Sequence, residues 1–319
     1  MSVTLTDIRA AQERIAPYIV KTPMLRMKQL DDFLGCEVYV KAENMQVTGA
    51  FKLRGALNKS LSLGEEERKA GLVCASSGNH GRALAYTAKL LGTTAAVVIP
   101  DTAPPIKVEA IRALGAEVIR SDTETRFEVA EQVCREKHAT LVPPFNDELI
   151  MAGQGTVGLE IAEQCPEAET VIVPVSGGGL LGGVSAALKA VKPSVKVYGA
   201  EPAALPRYSE SLKAGRPVKV PKQKTIADAL VSMIPGDKCF PVVQANVDAV
   251  VPVEDAFILR AMKKLLLDGK LLAEPSSCIG MGAVLQGLIP VRPDEKVCFL
   301  VSGGSVGLQQ LAMLEDVTV

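Results

Sequence analysis

The stretch TVIVPVSGGGLLGG, residues 170–183, joins an apolar run to a turn of three glycines and then to a helix-forming segment. The uncharged run that contains it approaches membrane-spanning length, but Pro174 and the glycine cluster stand where a membrane helix would have to continue. We therefore interpret the stretch as a buried strand, a glycine turn and a helix. This succession is the repeating unit of α/β proteins.

Units of the same kind fill most of the chain, because β-rich runs alternate with helix-patterned segments. Strands are predicted in two series, at 72–75, 95–99, 117–120 and 140–142, and at 170–175, 196–200, 249–251 and 297–301. A strand at 37–41 has no partner nearby in sequence, so we expect it to return to the second sheet.

The predicted fold class is therefore α/β, with two domains that each contain a largely parallel sheet flanked by helices. Residues 1–65 and 148–319 are expected to form a large cofactor-binding domain. Residues 66–147 are expected to form a small substrate-side domain inserted in it. A chain of 319 residues is long enough for two cores of ordinary size.

The composition favours a small-molecule partner over nucleic acid or a membrane. Apolar residues make up 48% and aromatic residues 4%, there is no Trp, and 35 Lys and Arg nearly balance 36 Asp and Glu. Such a chain has no net field that attracts a polyanion or a lipid surface. The seven cysteines include no C-x-x-C pair, and the first 16 residues lack the apolar stretch of a signal peptide. We expect reduced thiols and a cytoplasmic location.

Three predicted strands end in turns of small residues that open onto a helix, at 76–81, 176–179 and 302–305. Such turns leave backbone N–H groups free at a helix N-terminus, where the helix dipole also favours an anion. One glycine turn is equally well explained by close packing of a strand on a helix. Three of them in one chain favour a ligand that carries a phosphate or carboxylate.

The middle turn also fits a dinucleotide fingerprint. Gly177, Gly179 and Gly182 match G-x-G-x-x-G after a strand, and Glu201 follows about 20 residues later. A nicotinamide-dependent oxidoreductase is therefore an alternative. The motif lies in mid-chain, however, and the segment 48–55 has no role in that scheme. A lysine between an aromatic residue and a leucine, as Lys52 is, could be desolvated and nucleophilic, although a surface lysine on an amphipathic helix fits the same letters.

Residues 43–55, with Lys52 after Phe51, resemble the cofactor-attachment signature of the serine/threonine dehydratases and serine racemases that depend on pyridoxal phosphate (PLP). The similarity continues in order over nearly the whole chain, at 76–81, 152–156, 176–179, 225–228, 274–276 and 302–304. The resemblance implies a fold type II enzyme similar to the tryptophan synthase β subunit. The chain resembles the short members of this family, which lack a regulatory domain.

The same resemblance implies roles for individual residues. Lys52 binds PLP covalently and acts as the general base. The cofactor-binding residues are Phe51 and Lys52, Asn79 at the ring hydroxyl, Gly177, Gly178 and Gly179 at the phosphate, and Ser302 at the pyridine nitrogen. A hydroxyl does not hold a proton on that nitrogen, so the ring becomes a weaker electron sink, which favours elimination.

The resemblance also places the substrate beside Ser76, Ser77, Asn79, His80 and Arg126. Ser77 matches the second catalytic residue of the racemases, on the face opposite Lys52, but helix capping explains a serine there equally well. We expect His80 to be part of the turn rather than a base, and a solvated helix position remains an alternative for Arg126.

The predicted activity is the PLP-dependent β-elimination of a hydroxyamino acid, L-threonine or L-serine, to a 2-oxo acid and ammonia. The alternative is a racemase of serine or a related amino acid on the same scaffold. By analogy with this family, we expect a homodimer or a homotetramer.

The sequence departs from the family at a metal site. In serine racemases a divalent cation is held by a glutamate, a backbone carbonyl and an aspartate, which correspond here to Glu201, Leu205 and Arg207. An arginine in place of the aspartate removes one carboxylate ligand from the metal site and adds a fixed positive charge there. We therefore predict no divalent metal, with the Arg207 guanidinium pairing with Glu201 instead. Ala229 and Ser305 also replace common family residues, so the substrate need not be threonine or serine.

Overall fold

The computed structural model describes residues 3–76, 78–103 and 105–318. Its strands are β1 (Met24–Arg26), β2 (Glu37–Ala42), β3 (Leu72–Ala75), β4 (Ala95–Pro100), β5 (Glu117–Ser121), β6 (Thr140–Leu141), β7 (Thr170–Pro174), β8 (Lys196–Pro202), β9 (Ala249–Val253) and β10 (Lys296–Val301).

The helices alternate with these strands over most of the chain, as α/β proteins require. They are α1 (Leu5–Ile15), α2 (Asp31–Leu34), α3 (Lys52–Leu61), α4 (Glu65–Ala70), α5 (Asn79–Leu91), α6 (Pro105–Arg112), α7 (Arg126–Lys137), α8 (Glu148–Gln164), α9 (Gly179–Val191), α10 (Arg207–Ala214), α11 (Cys239–Asn246), α12 (Asp255–Leu267), α13 (Pro275–Leu285) and α14 (Leu308–Ala312). Within the ranges given above, no helix is both long and apolar enough to cross a membrane.

The large sheet has six strands in the order β1-β2-β10-β7-β8-β9. Strand β1 is antiparallel to β2, and the other neighbours run parallel. The return of the early strand is confirmed, because Val38 of β2 pairs with Val297 of β10. Strand β1 was not predicted, since it has only three half-buried residues at the sheet edge.

The small sheet has four parallel strands in the order β5-β4-β3-β6. All four strands lie within residues 66–147, and every strand of the large sheet lies outside that range. The predicted fold class, two mostly parallel sheets flanked by helices, is thus confirmed. The domain boundaries at 65/66 and 147/148 stay a prediction.

Central elements of the large sheet are apolar on all sides because helices cover both of its faces. All five residues of β7 are buried, and so are the first ten residues of α9. Helices α8 and α9 approach each other so closely that a Cβ on Gly183 would lie 2.2 Å from the Met151 carbonyl oxygen. This packing fixes α9, and with it the glycine turn at its start, against the carboxyl end of β7.

Candidate active site

Lys52 is the first residue of α3, and the residues before it are tied to the carboxyl end of β10. The Phe51 N–H donates to the Ser302 carbonyl oxygen at 3.0 Å, and the Gly304 N–H donates to the Gly49 carbonyl oxygen at 3.0 Å. These two bonds form an isolated antiparallel bridge between Ala50 and Gly303, beyond the ends of β2 and β10. They bring Lys52 next to the turn that contains Ser302, although the two residues are far apart in sequence.

The Lys52 amine is half-buried rather than solvated. Its Nζ donates to the Pro144 carbonyl oxygen at 2.5 Å and lies 5.1 Å from the centroid of the Phe51 ring. Burial lowers the pKa of Lys52 from 10.5 to about 8, because desolvation disfavours the ammonium form. Near neutral pH a useful fraction of the amine is therefore unprotonated and nucleophilic.

A buried network of ion pairs connects α3 to β2 and α8. The Arg54 guanidinium, fully buried one half-turn after Lys52, donates to Glu43 at 2.8 Å and to Glu160 at 2.6 Å. Lys41 of β2 adds a second cation at 2.5 Å from the Glu160 carboxylate. The network contains two cations and two anions and joins β2, α3 and α8. It therefore fixes the direction in which α3 leaves the site.

The turn after β7 has room only for glycine. Gly178 has φ +104°, and a Cβ there would lie 1.8 Å from Tyr208 Oη. A Cβ on Gly177 would lie 2.4 Å from the Phe145 ring. Gly179 begins α9, and in the described part of the chain no side chain caps that helix. The turn thus presents backbone N–H groups at a helix N-terminus, an arrangement that binds phosphate.

Two consecutive residues lie between the Lys52 amine and the glycine turn and contact both of them. Pro144 accepts the hydrogen bond from Lys52, and the ring of Phe145 lies against Gly177. Neither Pro144 nor Phe145 was predicted, because nothing in their local sequence points to a site. A phosphorylated aldehyde fits here, since a nucleophilic amine and an anion-binding turn stand on either side of this pair.

Ser302 is buried beside a second hydroxyl that sequence analysis missed. Its Oγ lies 3.0 Å from Ser277 Oγ, and Ser277 Oγ in turn donates to the Gly303 carbonyl oxygen at 2.8 Å. The Gly303 N–H donates back to Ser277 Oγ at 2.8 Å. The Ser302 hydroxyl therefore has a fixed, uncharged neighbour.

Asn79 forms a closed set of hydrogen bonds with Glu274 and Ser305. Its Nδ2 donates to both oxygens of Glu274 at 3.0 Å, and its Oδ1 accepts from Ser305 Oγ at 2.5 Å. The Ser305 N–H also donates to Glu274. Burial raises the pKa of Glu274 from 4.5 to about 7. The motif 274–276 belongs to the family resemblance, but the sequence alone assigns no role to this carboxyl group.

The remaining predicted substrate residues differ in their surroundings. Ser76 precedes α5, and its Oγ accepts from the Gly78 N–H at 3.3 Å. His80 is buried and donates from Nε2 to the Val142 carbonyl oxygen at 2.8 Å, and burial together with the nearby Lys52 lowers its pKa to about 3. It is therefore neutral and suits the turn rather than a base. Ser77 lies outside the described residues.

Arg126 lies at the start of α7, where its guanidinium donates to the Thr123 carbonyl oxygen and covers the Phe127 ring at 4.6 Å. These contacts are local, and no hydrogen bond described for Arg126 joins it to the residues around Lys52. Its predicted contact with substrate stays a prediction, as do the substrate contacts of the other turn residues.

The place where the family resemblance implies a metal site contains the side chain of an arginine. Arg207 is fully buried, and its Nε lies 3.9 Å from the Glu201 carboxylate, the pairing that the sequence predicted. Across the described ranges, no three His, Cys, Asp or Glu side chains converge as metal ligands. These residues do not fit a divalent cation, because a guanidinium stands among the oxygen ligands.

An α/β enzyme with a desolvated lysine beside a phosphate-binding glycine turn belongs to the class that holds a phosphorylated carbonyl cofactor through an amine. Residues 15–303 match the family described as pyridoxal-phosphate dependent enzyme. The chain therefore belongs to the pyridoxal-phosphate dependent enzymes, and it depends on this cofactor.

Relatives within this family are similar over almost the whole chain. A serine racemase of Oryza sativa is 43% identical over 308 residues, which cover 95% of this chain and 91% of the relative. An L-threonine ammonia-lyase of Thermotoga maritima is 40% identical over 311 residues, covering 97% of this chain and 77% of the relative. The solved structure of maize serine racemase superposes with a TM-score of 0.94 at 41% identity, covering 98% of this chain and 97% of that one. These relatives favour the lyase and racemase hypotheses over a nicotinamide-dependent oxidoreductase.

Proposed function

We propose that the protein catalyses the β-elimination of a hydroxyamino acid, L-threonine or L-serine, to a 2-oxo acid and ammonia. The observation that carries the proposal is the half-buried Lys52 amine, with its pKa lowered to about 8, beside a turn that admits only glycine. When bound, PLP would supply an electron-withdrawing ring that acidifies the α-proton of an amino acid. Residues 66–147 form the small, substrate-side domain in this proposal.

Each residue of the site has a task in this reaction. Gly177, Gly178 and Gly179 bind the phosphate through backbone N–H groups. Lys52 Nζ would hold the cofactor and, once the amine of the substrate has taken its place there, would be free to accept the α-proton, which its lowered pKa permits near neutral pH. Ser302 offers the ring nitrogen a neutral hydroxyl, held by its contact with Ser277.

The other predicted site residues position the cofactor ring or contact the substrate. Phe51 packs on the ring and Asn79 contacts its hydroxyl group, since Glu274 and Ser305 fix the Asn79 amide. Ser76, Ser77, His80 and Arg126 stay proposed substrate contacts. The neutral state of His80 leaves the Lys52 amine as the base.

Replacing Lys52 with Ala tests the proposal. We expect loss of the visible absorbance of lysine-bound cofactor, which borohydride bleaches in the wild type, and a fall in turnover of about 10²- to 10⁴-fold or more. Lys69→Ala, on the exposed side of α4, is the matched control and should retain both signals. Full activity of the Lys52 variant would refute the scheme.

A racemase is the second candidate, supported by the similarity to the serine racemases of rice and maize. It requires a second acid or base on the face opposite Lys52, the role proposed for Ser77. A panel of L- and D-hydroxyamino acids, assayed both for 2-oxo acid and for inversion, separates the two activities. Inversion that is lost in Ser77→Ala, with elimination of the L-substrate retained, would favour the racemase.

We also propose a homodimer, or a homotetramer built from it, in the cytoplasm. The half-exposed apolar side chains of Tyr18, Val20, Met45, Val47 and Leu272 support an interface, since hydrogen bonds join their three segments. An apolar patch of this kind is typical of a protein contact. The unpaired state of the seven cysteines supports a reducing compartment.

A further inference from the structure

The Arg207 side chain is spread over the end of β7 and the loop before α10. Its Nη2 donates to the Val175 carbonyl oxygen at 2.5 Å, its Nε to that of Ser176 at 3.1 Å, and its Nη1 to that of Leu205 at 2.7 Å. The residue is fully buried. Two of these three carbonyls belong to the residues immediately before the glycine turn.

Tyr208, the next residue, continues the same pattern. Its hydroxyl donates to the Gly177 carbonyl oxygen at 3.1 Å. The carbonyl groups of residues 175, 176 and 177 are therefore all drawn towards the start of α10. In a trans peptide the C=O of one residue and the N–H of the next point in opposite directions. Arg207 and Tyr208 thus turn the N–H groups of residues 176, 177 and 178 away from α10.

Glu201 completes the surroundings of the guanidinium. Its carboxylate accepts from the N–H groups of Tyr208 and Ser209 at 2.8 and 2.7 Å and lies 3.9 Å from Arg207 Nε. Burial lowers the pKa of Arg207 to about 10 while Glu201 opposes the change, so the guanidinium stays charged at neutral pH. A carboxylate and several carbonyl oxygens around one point are the ligands that a hard cation prefers. In this protein the Arg207 guanidinium, a cation that is part of the chain, lies among these oxygen atoms.

We propose that Arg207 is a positioning residue that replaces a divalent cation, and that it holds the glycine turn in the shape required by the cofactor phosphate. Cofactor binding in this protein is then independent of divalent metal. The inference rests on the proposed binding of the phosphate by Gly177, Gly178 and Gly179. It assigns to Arg207 a role in phosphate affinity that the pairing with Glu201 alone does not imply.

The first experiment compares two ligands. Arg207→Met keeps much of the length and removes the charge and the N–H donors, so the dissociation constant of PLP for the cofactor-free protein should rise about 10- to 100-fold. The constant for pyridoxal, which has no phosphate, should change little. Lys213→Ala, exposed on the same helix, is the control and should bind both ligands like the wild type. An unchanged affinity for PLP, or an equal loss for both ligands, would overturn the proposal.

The second experiment replaces the Arg207 guanidinium with a magnesium ion. Arg207→Asp places a second carboxylate beside Glu201, so we expect weak PLP binding with EDTA and recovery with millimolar MgCl₂. The melting temperature of the cofactor-free variant should rise with MgCl₂ as well, whereas that of the wild type should not. A variant that MgCl₂ does not restore, or that fails to fold even with it, counts against the exchange of cations. A wild type that loses PLP affinity with EDTA also counts against the proposal.

Gly178→Ala separates this inference from the proposed function. If the turn binds the phosphate, the added Cβ must weaken PLP binding and spare pyridoxal, because it would collide with Tyr208. If Gly178→Ala binds PLP normally, the placement of the phosphate is wrong. If Gly178→Ala shows the phosphate-specific loss and Arg207→Met does not, only the role of Arg207 is wrong.

Discussion

Glu274 shows how much of the site depends on contacts between distant residues. It stands next to Pro275 at the start of α13, where its carboxyl group receives Asn79 from the small sheet region and Ser305 from the loop after β10. The local sequence marks a helix start and says nothing about these partners. Only the folded chain shows that this carboxyl group holds the amide proposed to contact the ring.

The ionisation of Glu274 should couple stability to pH. Because burial raises its pKa from 4.5 to about 7, the folded state binds more protons than the unfolded state between these values, and stability falls as pH rises through them. Glu274→Gln cannot ionise, so the stability of the wild type relative to this variant should decrease from pH 5 to pH 8 by up to about 3 kcal/mol. Chemical denaturation of the cofactor-free proteins at both pH values measures the change.

A suitable control for this measurement is Glu66→Gln, because the Glu66 side chain is 90% exposed. Its stability relative to the wild type should not depend on pH in this range. A difference between wild type and Glu274→Gln that stays constant from pH 5 to pH 8 contradicts the assigned ionisation.

At the scale of elements, α3 is fixed by charge rather than by an apolar face alone. An amphipathic surface helix is an alternative that fits the sequence around Lys52, yet the Arg54 side chain of α3 is fully buried. Its partners Glu43 and Glu160 come from outside the helix, so no pattern within α3 could have revealed them. Burial opposes the charge of Arg54, but Glu43 and Glu160 raise its pKa, and the guanidinium stays ionised.

Arg54→Met should be strongly destabilising because it leaves Glu43 and Glu160 buried with Lys41 as their remaining cation. We expect a loss of about 3–5 kcal/mol in the free energy of unfolding, measured with urea. Lys21→Met removes an exposed ion pair, since the Lys21 and Glu163 side chains are 50% and 60% exposed, and should cost less than about 1 kcal/mol. Equal losses in the two variants would show that the buried network does not stabilise α3.

At the scale of the whole molecule, the sequence predicts the strands and turns far better than the contacts between segments that are distant in the chain. The strands and the three glycine turns follow from apolar runs and turn residues that are neighbours in the chain. The positions of Phe145, Tyr208 and Ser277 follow from strand order and helix packing, which no local pattern contains. Lys52 was identified through resemblance, and its desolvation became visible only with Pro144 against its amine.

The apolar patch that includes Val47 and Val20 provides a test of assembly. Val47→Asp places a charge in a proposed contact between two copies, so the molar mass measured by light scattering should shift towards the monomer. Leu90→Asp changes a residue of similar exposure in α5, outside the patch, and should leave the mass unchanged. The proposed interface is wrong if Val47→Asp retains the wild-type mass.

The central position of β10 has a consequence for synthesis on the ribosome. Strand β10 lies between β2 and β7, so β1 and β2 have no link to the rest of the large sheet until the last strand has been made. The small sheet needs only strands that lie between residues 72 and 141 and can form while translation continues. The pocket around Lys52 therefore assembles last. A nascent or truncated chain that lacks Lys296–Val301 should therefore leave the Lys52 amine without a formed cofactor site, and cofactor capture should wait for the last strand of the large sheet.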